Sequence, residues 1–345
     1  MKRLPAETDL LRRFERLFAT RRRDVKVGVG DDAAVLAVPA SLAVSTDALV
    51  ESEDFAPAAD PYLVGRKALN VNLSDLAAMG AAPLHALLTL GLPRETPVDW
   101  LDGFLDGFRA AAREQGVVVV GGDLTASLER FASVTVLGRV PDEGPLRRGG
   151  AKPGDELWVS GTLGAAAAGL ELVLRGYRRD RDGRVTAPRG HRVSPARRDE
   201  IARLLRHQLD PRPMVDLGRA LAGGGIASSA IDLSDGLARD LHRLCRASGA
   251  GACVDRGALP VDSGLPMLPG LSSDPLDLAL FGGEDYGLLF TVPPERVGAM
   301  RKVAARFAVR CIGRIDATAA VVLAGGDASA PLPDRGFDHF EKAGG

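Results

Sequence analysis

The feature that most constrains the fold is an interruption near the middle of the chain. A segment rich in glycine, proline and charged residues, 141–154, separates two halves that each contain strand-like and helix-like patterns. The 345 residues, 46% of them hydrophobic, are enough for two domains that each bury a core. We therefore predict an α/β (α+β) protein with an N-terminal domain over 1–140 and a C-terminal domain over 150–345.

Apolar periodicity places most of the expected elements in the first half. Helical spacing predicts helices over 4–19, 61–79, 98–115, 164–174 and 237–247. Short apolar runs predict strands over 25–30, 33–38, 42–45, 117–120, 133–137, 157–160 and 230–233. The strand over 42–45 is expected to end at Ser45-Thr46-Asp47, and that over 117–120 at Gly121-Gly122-Asp123, with 133–137 paired beside 117–120.

Composition excludes several classes of function. The 44 basic and 45 acidic residues nearly cancel, so we expect neither nucleic acid nor a membrane as a partner. Three cysteines without a C-x-x-C motif argue against a zinc cluster or a disulfide scaffold. The polar N-terminus and the lack of an apolar run of roughly 18 residues lead us to expect a soluble, cytoplasmic protein.

The lysines exclude one way of binding a nucleotide. None of the six is followed by serine or threonine. A P-loop needs the sequence Gly-Lys-Ser/Thr to hold phosphates and a metal ion. The chain is therefore not predicted to be a P-loop NTPase.

Aspartates recur beside glycine, serine or threonine after predicted strands. The motifs are Gly30-Asp31-Asp32, Ser45-Thr46-Asp47, Gly121-Gly122-Asp123 and Asp232-Leu233-Ser234-Asp235, with Asn72 and Asp75 three residues apart on a predicted helix. Carboxylates gathered in one place repel one another unless cations neutralise them, and Mg²⁺ prefers oxygen ligands together with substrate phosphates. Each motif alone is also typical of a turn or a helix cap. Spacing therefore predicts an acidic site for Mg²⁺ and phosphate and goes no further.

Nine arginines lie between residues 175 and 198. A solvated surface loop is the favoured interpretation of this segment. A basic patch that steers an anionic substrate is the alternative.

Several strings together resemble the thiamine-monophosphate kinases. They are Gly-Asp-Asp-Ala-Ala-Val-Leu (30–36), Ser-Thr-Asp (45–47), Asn-Leu-Ser-Asp-Leu-Ala-Ala-Met-Gly-Ala-Ala-Pro (72–83), Gly-Gly-Asp (121–123), Gly-Ala-Lys-Pro-Gly-Asp (150–155), Ile-Asp-Leu-Ser-Asp-Gly-Leu (231–237), Gly-Gly-Glu-Asp-Tyr (282–286) and Gly-Phe-Asp-His-Phe (336–340). The resemblance extends over about residues 10–340. It also places the chain in the superfamily that contains aminoimidazole ribonucleotide synthetase and selenophosphate synthetase.

The resemblance implies an activity and an assembly. The expected reaction is phosphorylation of thiamine monophosphate by ATP to give thiamine diphosphate, with several Mg²⁺ ions and direct in-line transfer that needs no catalytic side chain. The expected assembly is a homodimer in which the N-terminal α/β domain, which binds ATP and Mg²⁺, forms a β-barrel with its twin. A C-terminal α+β domain would complete the substrate site.

Site residues follow from the same resemblance. The metal ligands would be Asp32, Ser45, Thr46, Asp47, Asp75, Asp123, Asp232 and Asp235. ATP would lie along Gly122, Asp123, Arg148 and Ser234, with Asp106 where the family often has a tyrosine near the nucleotide. Thiamine monophosphate would contact Glu284 and Phe337, the phenylalanine as an aromatic wall for the cationic thiazolium ring. Asp54 stands where the family has a histidine near the substrate phosphate, and a carboxylate there would repel phosphate unless a metal ion or water intervened.

Two alternatives to this activity stay open. One is another ATP-dependent reaction of the superfamily, of the aminoimidazole ribonucleotide synthetase type. The other is a non-catalytic, cation-dependent nucleotide-binding protein. Selenophosphate synthetase is disfavoured, because its reactive cysteine or selenocysteine lies near the N-terminus and the first cysteine here is Cys245.

Overall fold

The structure is a computed structural model that describes residues 7–29, 34–38, 41–265, 274–325 and 328–338. It divides into two compact units. The N-terminal unit comprises Met1–Leu76, Ala81–Val140 and Arg179–Arg184, and the C-terminal unit comprises Ala77–Gly80, Pro141–Arg178 and Val185–Gly345. The main division thus falls between Val140 and Pro141, at the start of the glycine- and proline-rich segment.

A four-stranded sheet forms the centre of the N-terminal unit. In chain order its elements are α1 (Glu7–Phe18), β1 (Val25–Val27), β2 (Val35–Leu36), β3 (Leu42–Val50), α2 (Pro61–Ala78), β4 (Ala82–Leu92), α3 (Val98–Glu114), β5 (Val118–Ala126) and β6 (Phe131–Arg139). The strands lie in the order β3-β6-β4-β5, and β1 pairs with β2 separately. Only β4 and β5 are parallel to each other in the larger sheet.

Helices α2 and α3 provide the apolar cover of one face of this sheet. Every second side chain of β6 is buried, and Leu76 of α2 lies so close to Gly138 that a Cβ there would be 3.0 Å from its Cδ1. The two helices touch along their backbones, because a Cβ on Gly107 would lie 1.9 Å from the carbonyl oxygen of Tyr62. Along α3, the rings of Phe104 and Phe108 stack with centroids 6.2 Å apart.

The opposite face of the sheet is more open. Val44 on β3 is 61% exposed and Leu87 on β4 is 36% exposed. Register places Thr46, Thr135 and Leu87 in one row across β3, β6 and β4, so these residues share the open face. We refer to it below as the open sheet face.

A seven-stranded sheet organises the C-terminal unit. The elements are β7 (Glu156–Ser160), α4 (Ala165–Leu174), β8 (Arg178–Arg179), β9 (Val185–Thr186), α5 (Pro195–Leu209), α6 (Val215–Gly223), β10 (Ser229–Asp232), α7 (Leu237–Ser248), β11 (Gly251–Asp255), α8 (Pro275–Phe281), β12 (Leu288–Val292), α9 (Val297–Ala304), β13 (Val309–Asp316), β14 (Val321–Gly325) and β15 (Ala328–Pro331). The strand order is β10-β12-β7-β13-β11-β14-β15. Among these pairs only β11 and β14 run parallel.

The core of this unit lies between the sheet and α7. Leu237, Leu241 and Leu244 form one stripe of α7 and are almost completely buried against strand residues such as Ile231 and Leu289. Helices α4 and α5 approach each other closely at a glycine. A Cβ on Gly169 of α4 would lie 2.4 Å from the carbonyl oxygen of Leu204 on α5. Among the described residues, no helix has both the length and the apolar content to cross a membrane.

Several sequence predictions are confirmed and some are wrong. The helices predicted over 61–79 and 98–115 are present as α2 and α3. The predicted ends of two strands are wrong: β3 continues through Ser45-Thr46-Asp47 to Val50, and β5 continues through Gly121-Gly122-Asp123 to Ala126. Polar residues continue these strands because the ladder pairing with the neighbouring strands continues through them. The predicted pairing of 133–137 beside 117–120 is also wrong, since β6 lies between β3 and β4.

The arginine-rich segment is largely exposed, as the favoured interpretation predicted, but it is folded. Strands β8 and β9 form a hairpin, and α5 begins at Pro195 with Ser194 as its N-cap. Arg181 donates its backbone N–H to Asp60 at 2.8 Å, and its guanidinium lies 4.7 Å from the ring centroid of Tyr62. This cation–π contact gives one of the nine arginines a structural partner.

The contact between α2 and α3 gives a test of the N-terminal core. Gly107→Ala is expected to lower the free energy of unfolding by about 3 kcal/mol, because the new methyl group must displace the Tyr62 backbone. Gly298→Ala on α9 is the control: its methyl group meets nothing, so we expect a gain of about 0.5–1 kcal/mol. Urea denaturation of both variants measures the difference. Equal effects from the two substitutions would contradict the backbone contact.

Candidate active site

A hydroxyl and a carboxylate predicted as metal ligands meet in the N-terminal unit. Ser45 on β3 donates its hydroxyl to Oδ2 of Asp75 on α2, at 2.5 Å. Ser45 lies in register with Val136, so its side chain is on the face of the sheet that α2 covers. The helical spacing of Asn72 and Asp75 thus positions a half-buried carboxylate directly over the strand.

The other two residues of the Ser-Thr-Asp motif have separate partners. Asp47 accepts the backbone N–H of Ala48 on Oδ1 at 2.7 Å. Thr46 lies on the open sheet face, donates to the carbonyl oxygen of Val134 and accepts from the hydroxyl of Thr135, both at 3.1 Å. Alternation along β3 therefore separates Thr46 from Ser45 and Asp47.

Gly122 and Asp123 border a cavity of about 830 Å³ in the N-terminal unit. Gly122 has φ of +155°, and a Cβ there would lie 1.8 Å from the carbonyl oxygen of Leu88, so only glycine fits. The hydroxyl residues Thr89, Ser133 and Thr135 also line the cavity. Its volume is within the range of small-molecule sites.

Asp54, which replaces the expected histidine, is engaged by its own loop. Its Oδ2 accepts the backbone N–H of Val50 at 2.8 Å. Nζ of Lys67, a lysine that is only 2% exposed, donates to the Asp54 carbonyl oxygen at 3.3 Å. The carboxylate therefore stabilises the turn that follows β3.

Two predicted ATP contacts lie on exposed surface. The Asp106 side chain on α3 is 50% exposed and pairs with Arg109 at 3.5 Å. Arg148 is exposed, and its carbonyl oxygen accepts the hydroxyl of Ser248 at 3.3 Å. Neither side chain is fixed by burial.

In the C-terminal unit, two loops that carry predicted site residues are joined by backbone hydrogen bonds. The loop after β10 contains Ser234, and the loop before β12 contains Glu284. Glu284 donates its N–H to the carbonyl oxygen of Ser234 at 2.8 Å, and Tyr286 donates to that of Leu233 at 2.9 Å. Asp232, at the end of β10, is 4% exposed. Phe337 donates its N–H to the carbonyl oxygen of Asp235 at 2.9 Å, and its residue is 48% exposed.

Asp235 has a cationic partner that the sequence analysis did not identify. Arg243 on α7 pairs with Oδ2 of Asp235 at 2.5 Å and with Asp240 at 2.8 Å. Asp240 also accepts the backbone N–H of Asp235 at 3.0 Å. Burial raises the pKa of Asp240 to about 6.

The loop before β12 has an unusual backbone. Glu284 has φ of +66° and Tyr286 has φ of +47°, both in the left-handed region that disfavours side chains. Between them, Asp285 accepts the N–H groups of Gly164 at 2.8 Å and Ala166 at 3.2 Å, at the beginning of α4. Glu284 accepts the side-chain amide of Gln208 on α5.

The donor chemistry of the predicted metal set is suited to Mg²⁺. Ser45 and Asp75 offer only oxygen atoms, as do Asp123, Asp232 and Asp235, and Mg²⁺ selects oxygen ligands. Asp32 lies outside the described residues. Within the described ranges, no group of three or more His, Cys, Asp and Glu side chains is arranged to hold a metal ion. The complete ligand set therefore stays a prediction.

The residues missed by sequence reasoning are partners of predicted ones: Arg243, Asp240, Asp285 and Gln208. Asp285 lies inside a motif that carried the resemblance. Arg243 and Asp240 are three residues apart on α7, a spacing that could have indicated their ion pair. The contact of Gln208 with Glu284, 76 residues away, is revealed only by the tertiary structure.

Two family comparisons cover both units. The AIR synthase related protein N-terminal domain matches residues 30–140, and the AIR synthase related protein C-terminal domain matches residues 152–325. A thiamine-monophosphate kinase of Salmonella typhimurium is 38% identical over 339 residues, which are 97% of this chain and 98% of that relative.

Solved structures give the same likeness in three dimensions. The crystal structure of thiamine-monophosphate kinase from Stenotrophomonas maltophilia matches with a TM-score of 0.78 and 36% identity, over 93% of this chain and 96% of that one. A structure described as AaThiL complexed with AMPPCP and TMP matches with a TM-score of 0.72 and 28% identity, over 99% of each chain. The similarity therefore spans both units.

Asp285 makes the stability of the fold depend on pH. Burial raises the pKa of its carboxyl to about 7, against an unfolded value near 4. The folded state therefore holds a proton that the unfolded state releases, so the group contributes fully below pH 4 and its contribution is lost as the pH rises through 7. Relative to Asp285→Asn, the wild type should lose up to about 1.4 kcal/mol of unfolding free energy per pH unit between pH 5 and 7.

Urea denaturation at pH 5, 6 and 7 measures this slope. The exposed Asp142→Asn is the control and should run parallel to the wild type. A parallel curve for Asp285→Asn would refute the raised pKa.

Proposed function

The chain belongs to the thiamine-monophosphate kinase family and is an ATP-dependent phosphotransferase that acts on thiamine monophosphate, and we propose that it does so through the residues described above. The observation that carries the assignment is the joining of the two C-terminal loops. Backbone hydrogen bonds hold Ser234 and Asp235 next to Glu284 and Phe337. Residues predicted for ATP, metal and thiamine monophosphate thus lie side by side in one unit.

Mg²⁺ ions are part of this proposal. Asp32, Ser45, Thr46, Asp47, Asp75, Asp123, Asp232 and Asp235 would hold them. The chemistry that Mg²⁺ would supply there is positive charge to offset the charge of the phosphates. The oxygen-only donor set and the Ser45–Asp75 pair support this assignment.

The residues that we assign to ATP come from different parts of the chain. In the N-terminal domain, 1–140, we assign ATP to Asp106, Gly122 and Asp123. The other residues assigned to ATP are Arg148, in the segment that follows this domain, and Ser234 in the C-terminal domain, 150–345. The cavity beside Gly122 and Asp123 supports nucleotide binding there. Arg148 is exposed, and its guanidinium group can donate hydrogen bonds to a phosphate oxygen.

Thiamine monophosphate is assigned to Glu284 and Phe337. The Glu284 carboxylate attracts the positive thiazolium ring, and the half-exposed Phe337 ring offers it a face. Asp54 repels the substrate phosphate, so we assign it a contact only through water or a metal ion.

The transfer itself requires positioning more than acid–base chemistry. The attacking oxygen belongs to a phosphate that is already ionised near neutral pH, so no side chain has to remove a proton. The protein's contribution is to align that oxygen with the γ-phosphorus and the leaving β-phosphate, and to exclude competing water. The bond to the attacking oxygen forms as the bond to ADP breaks, which gives thiamine diphosphate and ADP.

A homodimer in the cytoplasm completes the proposal. On the β3 side of the open sheet face, Val44 is 61% exposed and lies outside the lining of the cavity, and a second copy would cover it. We propose that two N-terminal domains pair through this face into the dimeric β-barrel.

Removal of an acidic site residue tests the activity. Wild-type protein incubated with ATP, Mg²⁺ and thiamine monophosphate should form thiamine diphosphate, and Asp123→Asn should lower kcat by at least about 100-fold, because a metal-binding charge is lost. Asp142→Asn, on an exposed turn, should retain full activity. Chromatographic product analysis measures both. A thermal shift with ATP but no product from the wild type would favour the non-catalytic alternative.

The dimer has its own test. Val44→Arg should shift the protein from dimer to monomer in light scattering, because a charge would be buried in the interface. Leu128→Arg is the matched control, since Leu128 is 98% exposed at the turn between β5 and β6. A Val44→Arg protein that stays dimeric would rule out this face.

A further inference from the structure

The loop that presents Glu284 holds an unfavourable conformation. Glu284 and Tyr286 both have positive φ, a backbone conformation that is unfavourable for residues other than glycine. This conformation persists only where the surrounding structure imposes it. The contacts of the loop therefore identify what fixes Glu284.

One anchor is Asp285. Its two carboxylate oxygens accept the N–H groups of Gly164 and Ala166, at 2.8 and 3.2 Å. These N–H groups belong to the first turn of α4, where no carbonyl of the helix can accept them. Asp285 thus ties the residue next to Glu284 to the beginning of α4.

The second anchor is Gln208. This α5 residue is 3% exposed, and its Nε2 donates directly to Oε2 of Glu284. Its Oε1 is buried and accepts no hydrogen bond from the described residues. A buried amide whose oxygen has no hydrogen-bond donor destabilises the folded state, and a methionine in the same position would carry no such penalty. The contact that the amide does make is to the Glu284 carboxylate.

Both anchors connect the loop to α4 and α5, two helices that pack closely against each other. A Cβ on Gly169 of α4 would lie 2.8 Å from Cβ of Gln208. A Cβ on Gly282, at the start of the loop, would lie 2.5 Å from Cβ of Ala167 on α4. Glycine at these positions lets α4, α5 and the loop touch, so a displacement of either helix moves the Glu284 carboxylate.

We propose that Asp285 and Gln208 are positioning residues that hold the Glu284 carboxylate in the orientation required to bind thiamine monophosphate. Asp285 sets the backbone of the loop, and Gln208 sets the rotamer of the side chain. The proposal rests on the proposed role of Glu284 as a substrate contact. It assigns the specificity for the cationic substrate partly to α5, which carries none of the motifs that define the resemblance.

Steady-state kinetics with each substrate varied in turn tests the proposal. Gln208→Met should raise KM for thiamine monophosphate about tenfold, the effect of one lost hydrogen bond to a charged group. KM for ATP should change less than twofold and kcat less than threefold. Asp285→Asn should act in the same direction, because its amide N–H₂ cannot accept the second α4 donor.

A double-mutant cycle separates positioning from stability. Since Gln208 acts through Glu284, Gln208→Met should have less than a twofold effect on KM in a Glu284→Gln background. Gln115→Met is a matched control at the end of α3 and should leave both KM values unchanged. Asp155→Asn removes another buried carboxylate that accepts a backbone N–H, from Lys152 at 3.0 Å, and should lower Tm without changing KM.

The outcomes are distinguishable. An unchanged KM for thiamine monophosphate in Gln208→Met and Asp285→Asn, with Glu284→Gln impaired, would overturn the positioning proposal alone. Normal kinetics in Glu284→Gln would overturn it together with the role of Glu284. Absence of thiamine diphosphate from the wild type would overturn the proposed function, and calorimetric titration with thiamine monophosphate would then show whether the same variants change affinity. The positioning proposal would also be overturned if Gln208→Met raised KM for thiamine monophosphate by the same factor in the wild type and in the Glu284→Gln background.

Discussion

Repulsion among carboxylates is the constraint on which the organisation of this molecule depends. A protein that handles phosphates with aspartates must hold those aspartates apart from one another until cations arrive. In the structure three of the described carboxylates have an internal donor: Ser45 on Asp75, the Val50 amide on Asp54, and Arg243 on Asp235. These donors come from neighbouring elements of the same unit. Within each unit these donors therefore limit the electrostatic cost of the carboxylates they contact.

Glycine allows a close backbone approach beside an acidic motif in each unit. At Gly122 a side chain would collide with the Leu88 carbonyl oxygen, and at Gly282 with Ala167. In both places the chain passes close to a neighbouring strand or helix, and an acidic residue follows within two positions, Asp123 after Gly122 and Glu284 after Gly282. The Gly-Asp and Gly-Gly-Glu-Asp strings are thus requirements of packing as well as of chemistry.

Much of the fold and some of the site could be predicted from the sequence, and the failures share a cause. Apolar spacing predicts α2 and α3: α3 buries one apolar stripe, and α2 is buried on nearly every side. It ends β3 and β5 too early, because apolar runs stop at the motifs whereas ladder pairing continues through them. The Ser45–Asp75 pair follows from placing each motif on its element. Gln208 could not be predicted, since its partner Glu284 is 76 residues away in the sequence. Arg243 contacts Asp240, three residues before it on α7, so helical spacing could have identified that pair.

The contrast between Glu284 and Gln208 extends this argument to specificity. The motif supplies the carboxylate, but a carboxylate on a strained loop has no fixed direction of its own. Direction comes from α5 and from the first turn of α4, whose sequences are constrained by packing. A chain can therefore keep the whole motif and still lose discrimination for its substrate if α5 shifts. Under this proposal, the residue that contacts the substrate and the residues that orient it are encoded in different parts of this sequence.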